Sequence, residues 1–129
     1  MDTSENARLR PPPENRFAQP SLLVNLDAVA ATLRAEPNAG ERGHRQATVY
    51  KHGNTTVALF VFDRFSHLQS HVAQGEVTMH VLKGWVKITA DSTEYELKAG
   101  EMLAVAPGVR HAIKAEEESQ VLVTVHLEP

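Results

Sequence analysis

From residue 46 onward, apolar and polar positions alternate along the chain. QATVYKH, TTVALFVFD, SHLQSHV, EVTMHVLK, WVKITA, EYELKA, EMLAVA, RHAIKAE and QVLVTVHLE are short, rich in β-branched or apolar residues, and mostly of period two. Turn residues separate them: His52-Gly53-Asn54, Lys83-Gly84, Ala90-Asp91-Ser92, Ala99-Gly100 and Pro107-Gly108. With no helical period between them, eight or nine strands of roughly five to eight residues predict an all-β antiparallel sandwich or barrel.

The first third of the chain reads differently. Residues 1–20 are charged and proline-rich, with Pro11, Pro12 and Pro13 in a row, and predict an extended or disordered arm. Residues 21–44 hold a short helix and a loop. Leu26, Val29, Ala30 and Leu33 recur at helical spacing, Asn25 or Asp27 can cap the start, and Pro37 ends the run. Residues 45–129 form the β domain.

Composition narrows the function classes. A length of 129 residues fits one domain, and 42% hydrophobic with 22% charged residues is ordinary for a globular protein. Thirteen basic against sixteen acidic side chains, a net charge of −3, argue against a nucleic-acid partner. No apolar run is long enough to span a membrane, and the N-terminus lacks the apolar stretch of a signal peptide, so a cytoplasmic location is expected. With no cysteine, the chain offers no disulfide, thiolate nucleophile or thiolate metal ligand.

Two stretches carry the candidate chemistry: HLQSHVAQGEVTMHVLKG (67–84) and GEMLAVAPGVRH (100–111). Together they resemble the two-motif signature of the cupin superfamily, G-x5-H-x-H-x3,4-E-x6-G followed by G-x5-P-x-G-x2-H-x3-N. Gly100, Gly108 and His111 stand in register with the second motif, with Ala106 at its usual proline and Ala115 at its final asparagine. The HVAQGEVT loop is similar to that of small bacterial single-domain cupins. The resemblance implies a cupin-type jelly roll, a double-stranded β-helix barrel, preceded here by one short helix.

The family binds metal through both histidines of the first motif, its glutamate, and the histidine of the second. Carried over by position, these become Gln69, His71, Val77 and His111, so two of the four are kept. Gln69 can coordinate through its carbonyl oxygen; Val77 cannot. In a regular strand His67, Gln69 and His71 share one face, whereas His80 has parity opposite to Val77, Met79 and Val81 and needs a β-bulge to turn inward. The candidate metal set is therefore His71 and His111, with His80 and Gln69 as possible additions, around one divalent ion (Zn, Fe, Mn or Ni). His67 lies too far along the strand from His71 to share an ion, and His44, His52 and His126 read as surface residues. Arg110, beside His111, suits either a solvated rim or an anionic ligand.

Two functional readings follow. In the first, the resemblance implies a divalent ion acting on a small carbonyl-bearing metabolite. In the second, a binding or regulatory protein without catalysis, the site holds no metal and Val77, Met79, Val81, Leu103, Val105, Ile113 and Val123 line an apolar pocket for a small organic ligand, with His71 and His111 hydrogen bonding to it. The family also implies a homodimer, in which a partner covers an edge strand.

Overall fold

The computed structural model describes residues 20–37 and 44–128. The arm expected over residues 1–20 therefore lies outside the described residues except for Pro20, as do 38–43 of the expected loop. The predicted helix is present as α1, Leu26–Ala35. Asn25 is its N-cap, its side chain accepting from the Ala28 amide at 3.0 Å, so one of the unpaired first-turn donors is satisfied.

Nine strands follow: β1 (His44–His52), β2 (Thr55–Phe62), β3 (His67–Val72), β4 (Gly75–Lys83), β5 (Trp85–Ala90), β6 (Thr93–Lys98), β7 (Met102–Val105), β8 (Arg110–Ala115) and β9 (Ser119–Leu127). They form two antiparallel sheets, one ordered β1-β2-β9-β4-β7 and the other β3-β8-β5-β6. The fold is thus the antiparallel sandwich that the alternation predicts, in the jelly-roll form that the family resemblance implies. No helix among the described residues is long and apolar enough to cross a membrane.

The strands' alternate residues build the core between the sheets. Val77, Met79 and Val81 of β4, Val86 and Ile88 of β5, and Ile113 and Ala115 of β8 are all buried there. Strand β2 is an exception to the half-buried pattern, because α1 covers its outer face. Phe60 and Phe62 enter the core between the sheets, while Leu59 and Val61 pack under Ala30 and Leu33 of α1. That double burial explains why TTVALFVF reads as a continuous apolar run rather than a clean alternation.

Two glycines are dictated by space. At Gly84 the backbone has φ +96°, and an added Cβ would collide with the Ser119 hydroxyl and the Glu118 carbonyl. Ser119 is buried there, accepting from the Trp85 amide at 3.0 Å. At Gly75 a Cβ would run into the His126 carbonyl of the adjacent strand. His44, expected as a surface loop residue, instead begins β1 half-buried, its ring 6.0 Å from that of Phe60 and 5.8 Å from that of Phe62.

Candidate functional site

Strand β3 sets the geometry of the site. It pairs with β8 so that Leu68 faces Ile113 and His71 faces His111, yet three steps along β3 match only two along β8. Gln69 and Ser70 together oppose Ala112, which is a β-bulge. The extra residue reverses the side-chain parity. Leu68 and His71 therefore share the inner face, and Gln69 is turned into a groove on the outside with His67, Ser70, Lys87 and Lys114.

The bulge brings two imidazoles together between the sheets. The His71 and His111 rings are 4.2 Å apart at their centroids, edge to face at 64°. His111 is 2% exposed and lies beneath the exposed His71. Each ring is oriented by the backbone: His71 Nδ1 lies 3.1 Å from the Gln69 carbonyl and His111 Nδ1 3.1 Å from the Val109 carbonyl. A carbonyl oxygen only accepts, so each Nδ1 carries the hydrogen, and in the neutral imidazole Nε2 then keeps a lone pair. Neither Nε2 has a partner among the described residues. Burial pushes the His111 pKa below the usual imidazole value and the neighbouring His71 acts the same way, while the Val109 carbonyl opposes them.

The rings line a cavity of about 150 Å³ whose other walls are Thr56, Ala58 and Phe60 of β2, Leu68 of β3, Met79 of β4, Ile113 of β8, and Val123 and Val125 of β9. Met79, Ile113 and Val123 are pocket residues expected from the sequence. Val77, Val81, Leu103 and Val105 belong to the surrounding core instead. Val81 lies further along β4, past Met79, and β7 pairs with β4 on the side away from β9, which sets Leu103 and Val105 back from the imidazoles. Thr56, Ala58, Phe60, Leu68 and Val125 were not anticipated. The shared parity of Thr56, Ala58 and Phe60 in TTVALFVF was the available signal for the β2 wall.

His80 does not join the pair. It stands in regular register with Met102 and Leu122, between the buried Met79 and Val81, and so lies on the opposite face of its sheet. The bulge on β4 falls two residues later, at Leu82. Gln69 is likewise excluded, by the β3 bulge. The remaining donor set is two imidazoles, with Val77 in place of the carboxylate. A catalytic zinc keeps three protein ligands, and harder ions want oxygen donors. No group of three or more His, Cys, Asp or Glu among the described residues is placed to hold an ion. The residues present do not fit a resident divalent metal.

Comparison with known proteins agrees with this architecture. The family model described as a cupin domain matches residues 65–127, which run from the turn before β3 to the end of β9 and include both imidazoles. Residues 65–127 are thus similar to a cupin domain, and the fold that contains them is cupin-like. Its structural neighbours include a cupin superfamily protein from Desulfitobacterium hafniense, with 18% identity, a TM-score of 0.68, and coverage of 88% of this chain and 96% of that one. TT1209 from Thermus thermophilus superposes with a TM-score of 0.70 at 17% identity, covering 83% and 98% respectively. KdgF from Halomonas sp. has a TM-score of 0.64 at 18% identity, covering 69% and 83%. At these identities the likeness is one of cupin fold. A search of curated proteins found no significant match.

Proposed function

We propose that this cupin-like protein is a binding module for a small organic molecule, held between the sheets at His71 and His111, and that its cavity is not a resident metal centre. One observation carries the reading: an apolar cavity lined by the buried His111, whose Nδ1 is held by the Val109 carbonyl and whose Nε2 has no partner among the described residues. Ligand pockets are mostly apolar with a few polar groups that fix the ligand's orientation, and the two imidazoles fit that role here. The size is also informative. A dry engineered cavity of about 150 Å³ in another protein takes up benzene, so the occupant here is a molecule of about six to eight non-hydrogen atoms.

Two measurements test this. Benzene, as the simplest probe of matching size, should perturb the NMR resonances of Ala58, Ile113, Val123 and Val125 in a saturable way. Metal analysis of untagged protein purified without chelator should give clearly less than one ion per chain. Absence of benzene shifts at the cavity walls would refute the pocket. A stoichiometric ion lost on H111A would refute the metal-free reading.

A further inference from the structure

The chemistry of the cavity narrows the class of ligand, on the premise that the cavity is a binding pocket. The geometry points to a neutral, compact, hydroxyl-bearing molecule of the phenol type, its ring among the apolar walls and its O–H donating to an imidazole Nε2. It is not a carboxylate.

The argument rests on which hydrogen-bonding roles are left over. Both Nδ1–H groups are spent on backbone carbonyls, of Gln69 and Val109. In its neutral form each ring then retains one lone pair, on Nε2, and no further donor. At the imidazoles a ligand carbonyl would leave acceptor facing acceptor, whereas a hydroxyl brings the missing hydrogen and keeps a lone pair for the Thr56 hydroxyl. The edge-to-face approach at 4.2 Å sets the rings close enough for one hydroxyl to meet either of them. Thr56 is the other polar side chain on the wall, and its hydroxyl can donate to the ligand oxygen.

Charge complementarity points the same way. No Lys, Arg, Asp or Glu lines the cavity. Arg110, which follows the site's loop, is exposed and reaches toward the Ser70 hydroxyl at 3.4 Å on the outer side of β3. A carboxylate in the cavity would therefore be desolvated without a cation, a cost far above that of an uncharged group. The walls themselves suit an aromatic ring: Phe60 offers a ring for edge or offset contact, and the Met79 thioether is favourable beside aromatic edges.

The test compares three probes of similar shape (phenol, benzene and benzoate) on the full chain by NMR titration, with histidine side chains labelled with nitrogen-15. Phenol should bind about tenfold more tightly than benzene, the value of one net hydrogen bond. Benzoate should bind at least about a hundredfold more weakly than phenol. Phenol should also shift the Nε2 resonance of His71 or His111 while leaving the Nδ1 resonances in place. In H111F or H71F the preference for phenol over benzene should shrink. The wild-type Nε2 readout stands alone should either variant fold poorly. Equal binding of benzene and phenol, or benzoate as the tightest probe, would overturn the hydroxyl assignment and leave the pocket intact. If none of the three perturbs the cavity walls, the pocket itself fails, and this inference with it.

Discussion

Ala58→Leu offers a direct test of whether the space between the sheets is real. Ala58 sits on β2 with its side chain toward the cavity, opposite Val123 in register, while its neighbour Leu59 faces α1. The substitution adds three carbons to a volume of about 150 Å³ that is lined mainly by apolar groups. At about 0.8 kcal/mol for each buried CH₂ the gross gain is about 2.4 kcal/mol. Ordering the leucine side chain costs about 0.5–1 kcal/mol, and the open mouth leaves part of the transfer unrealised, so a net stabilisation of about 1 kcal/mol is expected. For a chain of this size that corresponds to a rise in Tm of about 4 °C, with the urea midpoint moving up and the slope unchanged. The same leucine should abolish the benzene-induced shifts at Ile113 and Val125. A fall in Tm would mean that the added carbons are overpacked against walls already in contact. Undiminished benzene binding would place the probe elsewhere. Either result refutes the cavity as described.

Other perturbations follow from the same geometry. Gly84→Ala should destabilise by about 3 kcal/mol in urea denaturation, since φ +96° is costly for alanine and the Cβ meets the Ser119 hydroxyl and the Glu118 carbonyl; a loss under about 1 kcal/mol would contradict the packing there. Asn25→Ala removes the acceptor for the Ala28 amide and should cost about 1 kcal/mol, with Asn25→Asp close to neutral. The depressed His111 pKa, caused chiefly by burial, fixes the sign of a pH effect: the unfolded imidazole takes up a proton near its ordinary value of about 6.5 while the folded one resists it, so stability falls as pH drops below about 6.5 and levels off once the pH is below the folded pKa. H111F should lack that component, so the stability difference between wild type and variant should change between pH 7 and pH 5, and a constant difference would refute the assignment.

The elements themselves were legible because their signals are local. Alternation of period two, glycine-centred turns, and a capped run of helical spacing ended by Pro37 are each set by a few neighbouring residues, and α1 and the nine strands appear where those signals place them. The spacing of Gly100, Gly108 and His111 carried the cupin motif for the same reason. His71 and His111 could be singled out before any coordinates, because both keep motif positions.

Which residues join them was decided by tertiary structure. Strand parity follows from sequence only while the strand is regular, and one extra residue reverses every assignment beyond it. The bulge at Gln69–Ser70 exists through its pairing with Ala112 on β8, 42 residues further on from Ser70, and nothing within HLQSHV marks it. It turned Gln69 out and His71 in, whereas His80, with no bulge at its own position, stayed on the far face. The double burial of β2 beneath α1, and the set-back of Leu103 and Val105 on an outer strand, are likewise consequences of strand order. By itself the sequence determined the fold and named two imidazoles. The pairing of distant strands decided that those two meet at an apolar cavity without Gln69 or His80.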